Sequence, residues 1–383
     1  ARTFPGCHLN CGILAYIKDG KIDHIEGDPE NPYNQGRLCL RCLAVKEMIY
    51  HPDRITHPVK RDKSKRGDAD AWERITWDEA YDIIYEEMMK VIDKYGAQSI
   101  YVTQGTGRDI NGYTAITAHY LGTPNQGMGF LSGQSCYAPR NFSTALKFGG
   151  FVIGDYGQFF PDRCDDPRFE PPEYILIWGN NPLVANSDGS MGYWIVECMK
   201  RGSKIITVDP KLTWLAGKSE YWFQLRPGTD AALVLGLCNE IIKSGLQDQD
   251  FIDRWTYGYE EFAKRCAEYD VERVAEICDV PAEKIIEAAH AIGKAKSVAL
   301  QWGVAFDHQT EGFTAGMAAM DLLALTGNYE KPGTMVSAEP CFGVGETWMP
   351  ANDFLEEIAA DANPLTGAVV VPIGFICDHM EVV

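Results

Sequence analysis

Tyr174-Ile-Leu-Ile-Trp-Gly-Asn-Asn-Pro-Leu183 and Lys204-Ile-Ile-Thr-Val-Asp-Pro-Lys211 are the two stretches that set the fold class of this chain. Each opens with an apolar run rich in β-branched residues and ends in turn-forming residues, which is typical of buried parallel strands. An amphipathic segment of helical length, Met191–Arg201, lies between them. The sequence therefore predicts a β-α-β unit and an α/β fold built on a parallel sheet.

Polar residues follow both predicted strands. Gly179-Asn180-Asn181 comes after the first strand and Asp209-Pro210 after the second. A third motif, Gly228-Thr229-Asp230, opens a predicted helix with Asp230 near its N-cap. Ligands of such sheets bind beyond the carboxyl ends of the strands, and these groups suit a nucleotide. The alternative is an ordinary doubly wound domain with tight turns.

Composition excludes several classes of protein. A chain of 383 residues with 45% hydrophobic content can bury a large core in two or three domains. The formal charge of −19 argues against a nucleic-acid partner and an anionic membrane surface. No apolar run is long enough to span a bilayer. The start shows no signal-peptide features, so we expect the cytoplasm, or the periplasm if a leader was removed.

Four of the twelve cysteines, Cys7, Cys11, Cys39 and Cys42, crowd the N-terminus, which indicates metal ligation more than disulfides. Between them, Asp19-Gly20 separates two alternating runs, a strong hairpin signal. A hairpin there brings Cys39 back toward the first thiols, an arrangement that suits an iron–sulfur cluster. Reduced structural thiols in a small module are the alternative.

Several motifs, in order, resemble the molybdopterin oxidoreductases of the dimethyl sulfoxide reductase family. They are Trp178-Gly-Asn-Asn-Pro-Leu183, Val208-Asp-Pro-Lys211 and Arg226-Pro-Gly-Thr-Asp230, and the resemblance runs from about Cys7 to Gly333. It implies an α/β protein in which a small N-terminal β-rich Fe-S-type module precedes doubly wound parallel-sheet domains that bind a pterin dinucleotide.

The resemblance also implies a cofactor, bis-(molybdopterin guanine dinucleotide) carrying molybdenum or tungsten. The implied binding residues are Arg41, Gly105, Trp178, Gly179, Asn180, Asn181, Asp209, Pro210, Gly228, Thr229 and Asp230. Arg41 stands where the family usually has a lysine between cluster and pterin; an exposed arginine on a short helix is the alternative.

Cys136 falls where the family supplies the protein ligand of the metal, and a thiolate is a soft donor suited to it. Arg140 would assist an oxygen-bearing substrate, or form a surface salt bridge. His308 would face the second pterin, or be a structural histidine.

The cluster motif departs from the family pattern at one position. The family arrangement is Cys-x2-Cys-x3-Cys followed by a fourth cysteine, and Cys7, Cys11 and Cys39 match it. The first cysteine position is Phe4, which cannot coordinate metal. Either Cys42 or a non-cysteine ligand completes a [4Fe-4S] cluster, or the cluster is absent.

The expected domains are an N-terminal module at 1–57, an α/β domain at 58–155 plus about 304–350, a dinucleotide-binding domain at 156–303, and an atypical tail at 351–383. The last residues, 363–383, resemble the end of a ferrochelatase, with His379 and Glu381 at that family's histidine and acidic positions. We assign no chelatase activity to a segment this short.

The leading hypothesis is a molybdenum or tungsten oxidoreductase that moves two electrons and an oxygen atom on a small-molecule substrate. An electron-transfer subunit or a separate C-terminal half is the expected partner. A non-redox hydratase or transhydroxylase on the same cofactor is the second hypothesis. A scaffold that has lost the pterin is the third.

Overall fold

A computed structural model describes residues 11–32, 34–104, 111–128, 138–158, 160–184 and 190–337 of the chain. Among these residues, no helix has both the length and the apolar character needed to cross a membrane.

The N-terminal module is a hairpin followed by two short helices. Strand β1 (Ile13–Lys18) pairs antiparallel with β2 (Lys21–Gly27), and helices α1 (Leu40–Leu43) and α2 (Val45–Ile49) follow. The connecting residues Asp19 and Gly20 both have positive φ, 51° and 74°, as a tight hairpin turn requires. The hairpin expected from Asp-Gly is confirmed.

The next region contains one long helix and two small strand pairs. Its elements are β3 (Val59–Lys60), β4 (Glu73–Arg74), α3 (Trp77–Tyr95), β5 (Val102–Gln104), α4 (Asn111–Leu121), β6 (Gln126–Met128) and α5 (Ala138–Phe148). Strands β3 and β4 pair antiparallel, and β5 and β6 pair parallel.

Sequence signals at the ends of α3 are confirmed. The Thr76 hydroxyl accepts a hydrogen bond from the Glu79 backbone N–H at 3.1 Å, and the helix ends at Gly96, whose φ is 83°. Strand β5 starts at Val102, because residues 97–99 first form a 3₁₀ turn.

Residues 150–337 form the main α/β body. Its strands are β7 (Val152–Gly154), β8 (Tyr174–Trp178), β9 (Lys204–Val208), β10 (Tyr221–Phe223), β11 (Val298–Trp302) and β12 (Met335–Ser337). Its helices are α6 (Ser190–Lys200), α7 (Asp230–Lys243), α8 (Gln249–Trp255), α9 (Tyr259–Cys266), α10 (Val271–Cys278), α11 (Ala282–Lys294), α12 (Val304–Asp307) and α13 (Gly312–Leu325).

The central sheet has four parallel strands in the order β10-β9-β8-β11. Alternate residues of β8 enter two different cores. Ile175 and Ile177 pack with residues of α6, whereas Leu176 and Trp178 pack with residues of α7, α10, α11 and α13. Because helices cover both faces of the sheet, the doubly wound architecture is confirmed.

After β11 the chain returns to the region around α5 and β7. Helix α13 packs against α5 and α7, and β12 pairs antiparallel with β7. Gly333, whose φ is 69°, lets the chain pass close to Pro172, since a Cβ there would lie 2.9 Å from the Pro172 nitrogen. The four-part domain division stays a prediction.

Candidate functional site

Three neighbouring strands end at one edge of the sheet. In the register of the ladders, Trp178 of β8 lies between Val208 of β9 and Trp302 of β11. The loops that follow, Gly179–Asn181, Asp209–Pro210 and the one that begins at Gly303, therefore meet at the carboxyl edge where such sheets bind ligands.

The loops after β8 and β11 touch through glycine. Gly179 has φ +56°, and a Cβ on Gly303 would lie only 2.5 Å from the Gly179 carbonyl oxygen. A larger residue at 303 would force the two loops apart, so the shape of the edge depends on this contact.

The two asparagines of the edge differ in their partners. Asn180 Nδ2 donates to the Trp302 carbonyl at 2.7 Å and so ties the loop after β8 to the end of β11. Asn181 Oδ1 is buried and accepts no hydrogen bond from any residue that the structure describes. Because an unsatisfied buried acceptor is costly, this oxygen suits a ligand that brings an N–H or O–H donor.

The two aspartates of the edge also differ. Asp230 is buried, and its Oδ1 accepts a hydrogen bond from Trp178 Nε1 at 2.7 Å. Asp209 is half-buried, its Oδ1 accepts the Lys211 N–H at 2.8 Å, and burial raises the pKa of its carboxyl group. Asp209 is thus the more accessible acceptor, whereas Asp230 is already part of the core.

Helix α7 begins one residue earlier than expected. Thr229 is the N-cap and Asp230 is the first helical residue. Gly228 and Pro210 are exposed, and the Trp178 ring is fully buried against Phe306, with centroids 5.7 Å apart. Contacts of Trp178, Pro210, Gly228, Thr229 and Asp230 with a cofactor stay predictions.

A cleft of about 690 Å³ is lined by Pro210, the residue that follows Asp209, and so lies beside Asp209 in the chain. Its wall includes Pro210, Trp222, Gln224, Arg226 and Lys284. Lys284 Nζ donates to the Trp222 carbonyl at 2.8 Å, and Arg226 is exposed. Two cations and one carboxylate, Asp279, line the cleft, so its net positive charge favours an anionic ligand such as a phosphate. Sequence reasoning missed Trp222 and Lys284, because both lie in stretches whose pattern indicates only packing.

Arg140 forms a buried ion pair with Asp307. Arg140 Nε and Asp307 Oδ2 are 2.7 Å apart, and the side chains are 7% and 0% exposed. The pair is buried and is therefore not the surface salt bridge of the alternative, and the role of Arg140 toward a substrate stays a prediction. His308, the next residue, is exposed, and its catalytic role stays a prediction.

Cys11 and Cys39 lie before and after the buried residue Asn34 in the sequence. Asn34 Oδ1 accepts the Gly12 N–H at 2.8 Å, and Asn34 Nδ2 donates to the carbonyls of Gly12 and Arg37. Asn34 thus ties the residue after Cys11 to the segment that leads to Cys39. No sequence signal singled out this residue.

Helix α1 provides the helical turn that Cys42 needs to approach the other thiols. Cys39 is its N-cap, and the Cys42 N–H donates to the Cys39 carbonyl at 3.0 Å. Cys42 is buried, and Cys11, Cys39 and Arg41 are half-buried. Within the described ranges, which begin at residue 11, no three His, Cys, Asp or Glu side chains form a group that could hold a metal ion.

Cys7, Gly105 and Cys136 lie outside the described residues, as does the tail from residue 338. Their predicted roles in the cluster, the pterin site and metal ligation stay predictions.

Two family models match the chain. One, described as molybdopterin oxidoreductase, matches residues 54–377, and the other, described as molybdopterin oxidoreductase Fe4S4 domain, matches residues 5–51. The longer match reaches into the segment that resembles a ferrochelatase.

Curated proteins and a solved structure agree with these matches. A probable dimethyl sulfoxide reductase chain of Escherichia coli (strain K12) is 30% identical and covers 91% of this chain and 46% of its own length. Acetylene hydratase of Syntrophotalea acetylenica is 32% identical and covers 87% of this chain and 44% of its own length.

The structure of acetylene hydratase from Pelobacter acetylenicus superimposes with a TM-score of 0.73 at 29% identity, and covers 88% of this chain and 44% of that one. The chain thus spans about half the length of the curated relatives that it matches.

Proposed function

The chain belongs to the molybdopterin oxidoreductase family, and from this premise we propose that it holds a bis-(molybdopterin guanine dinucleotide) with molybdenum or tungsten for two-electron or oxygen-atom chemistry on a small substrate. The family models imply a molybdopterin cofactor and an iron–sulfur cluster. The observation that carries the proposal is the carboxyl edge of the sheet, where the buried Asn181 acceptor and the cleft beside Asp209 lie at the family's motifs.

The residues of this edge fit the parts of such a cofactor. Asn181 and Asp209 offer oxygen acceptors for the N–H groups of a pterin or guanine, and Arg226 and Lys284 offer positive charge for a diphosphate. Cys136 would supply a thiolate to the metal. When bound, the cofactor supplies the redox chemistry, while the protein provides ligation, orientation and access.

A non-redox reaction is the second candidate. The chain resembles acetylene hydratase in both sequence and structure, and Phe4 stands at the first cysteine position of the cluster motif. In that case the metal would act as a Lewis acid toward water.

Metal and nucleotide analysis tests the proposal. Inductively coupled plasma mass spectrometry should find molybdenum or tungsten in the purified protein, and acid hydrolysis should release GMP. A protein that contains neither molybdenum nor tungsten and releases no GMP would be a scaffold, and this result would contradict the proposal.

Turnover of dimethyl sulfoxide with a reduced dye, or of acetylene without one, separates the redox from the non-redox candidate. The electron-transfer subunit or separate C-terminal half is a further proposal, tested by co-purification.

Cys136→Ala should retain the fold and the pterin content but abolish turnover, because it removes one metal bond and little packing. X-ray absorption spectroscopy at the metal edge should show one sulfur neighbour fewer than in the wild type. Full activity, or an unchanged sulfur count, would show that Cys136 is not the ligand. Cys198→Ala is the control, since Cys198 belongs to α6, is buried in the core and is remote in sequence from the motif.

A further inference from the structure

Asp307 binds both the side chain and the backbone of one residue. Its Oδ2 accepts a hydrogen bond from Arg140 Nε at 2.7 Å, and its Oδ1 accepts the Arg140 backbone N–H at 3.1 Å. Arg140 lies in the first turn of α5, where backbone N–H groups have no partner within the helix. The Asp307 carboxylate, which is distant in sequence, thus holds the backbone at the start of α5. An ion pair between side chains alone would not hold the backbone.

The same arginine reaches the dinucleotide edge of the sheet. Arg140 Nη1 donates to the Trp302 carbonyl at 3.0 Å, and Asn180 Nδ2 donates to the same oxygen at 2.7 Å. A carbonyl oxygen has two lone pairs, so these two donors saturate it. The start of α5 and the loop after β8 are therefore held against the end of β11 at a single atom.

The start of α5 follows the predicted metal ligand closely in sequence. Cys136 precedes Arg140 by four residues, which span at most about 14 Å of extended chain. The position of Arg140 therefore limits how far Cys136 can lie from the start of α5.

We propose that Asp307 is a positioning residue that, through Arg140, holds the start of α5 against the dinucleotide edge, and that sulfur coordination by Cys136 depends on this contact. This inference rests on the proposed function, because it assumes that Cys136 binds the metal. It assigns Asp307 no contact with substrate.

A second ion pair on α5 provides a matched control. Lys147, in the last turn of the same helix, pairs with Asp321 of α13 at 2.8 Å. Asp307→Asn and Asp321→Asn remove the same charge from carboxylates that anchor opposite ends of α5. Only the first lies at the end that leads to Cys136.

The experiment compares the two variants as purified holoenzymes. Asp307→Asn should keep its metal content but lose sulfur coordination at the metal, with the sulfur count by X-ray absorption falling toward that of Cys136→Ala. Asp321→Asn should match the wild type. If the two variants behave alike, or if Asp307→Asn loses metal in proportion to its unfolded fraction, Asp307 is only structural and the inference is overturned.

Arg140→Lys is a milder variant for the same measurement, in case Asp307→Asn does not fold. It keeps a cation beside Asp307 but lacks the planar fork that also reaches Trp302. A reduced sulfur count supports the inference, and an unchanged count overturns it. If Cys136→Ala itself leaves the sulfur count unchanged, the assignment of Cys136 falls as well, which distinguishes the two failures.

Discussion

At the scale of single residues, the sheet edge separates polar groups that hold the fold from those that remain accessible. Asp230 and Asn180 are engaged by Trp178 and the Trp302 carbonyl. Asp209 is half-buried with one oxygen used in a local turn, and Asn181 has a buried acceptor oxygen with no donor among the described residues. We therefore expect Asp209, more than Asp230, to accept the N–H groups of the proposed guanine, although the two motifs resemble the family equally well.

Purified Asp209→Ala should release less GMP on acid hydrolysis than the wild type. Hydrogen bonds to a carboxylate contribute about 1.5–3 kcal/mol each to the free energy of binding, and the variant lacks them. Asp62→Ala is a matched control, since Asp62 also accepts a backbone N–H two residues ahead, at Ser64, but lies far from the edge in sequence. Equal GMP content in wild type and Asp209→Ala would reduce Asp209 to a turn residue.

Asp166 should contribute a pH-dependent part of the stability. Hydrogen bonds from the Arg168 guanidinium, at 2.8 and 2.7 Å, lower the pKa of the Asp166 carboxyl to about 2. The carboxyl group of an aspartate in an unfolded chain has a pKa of about 3.9. Because the folded pKa is the lower one, the contribution is present above about pH 4 and is lost as the pH falls toward about 2.

Urea titrations should show Asp166→Asn to be less stable than the wild type at pH 7, with the difference shrinking below about pH 4. A difference that stays constant with pH would mean that Asp166 acts through shape and not through charge.

At the scale of elements, periodicity and turn chemistry predicted most of the main body. Strands β8 and β9 lie at the apolar runs that open the two predicted stretches, because buried apolar runs and turn-forming residues after them mark strands clearly. The 3₁₀ turn at 97–99 was missed, since short turns have no periodic signature.

The site was predictable only where a motif marks it. The loops at Gly179–Asn181 and Asp209 were found because they follow recognisable strands. Asn34, Lys284 and Asp307 were not, since their partners are distant in sequence and lone polar residues carry no pattern. The Asp307–Arg140 pair joins residues 167 positions apart, which no local rule detects.

The first turn of α1 bears on the iron–sulfur cluster. Cys39 and Cys42 lie three residues apart, on one side of this turn. Because Phe4 occupies the first cysteine position of the motif, a cluster there would use Cys42 as its fourth thiolate ligand. Anaerobically purified Cys42→Ser should lack a conventional reduced [4Fe-4S] signal by electron paramagnetic resonance and show a [3Fe-4S] cluster or a labile iron.

Cys164→Ser, which removes a half-buried thiol remote from the module in sequence, is the control and should keep the wild-type signal. A normal signal in Cys42→Ser would place the fourth ligand elsewhere. Absence of iron from the wild type would favour the non-redox candidate.

At the scale of the whole molecule, burial is concentrated in residues 150–337. Both hydrophobic clusters lie there, whereas no residue of α3 is buried. The exposed apolar side chains of that helix include Trp77, Tyr81, Ile84 and Tyr85. We therefore expect the thermodynamic stability of the chain to depend mainly on the main body.

Leu233→Ala should lower the free energy of unfolding by about 2–5 kcal/mol, because it opens a cavity in the core. Leu233 is 0% exposed and Ile84 is 53% exposed. Ile84→Ala should therefore change the stability by no more than about 0.5 kcal/mol. Urea unfolding followed by circular dichroism measures both, and equal losses would show that α3 is covered in solution.

The strand order has a consequence for how the protein is made. Strand β9 is synthesised soon after its neighbour β8, but the other neighbour of β8, β11, begins only at Val298. At an elongation rate of about 5–20 residues per second, the apolar edge of β8 stays unpaired for roughly 6–25 seconds, until β11 has been synthesised. During this interval an open edge of Ile, Leu and Trp can pair with other chains. Slower elongation between residues 210 and 298 should therefore increase aggregation of the nascent protein and its dependence on chaperones.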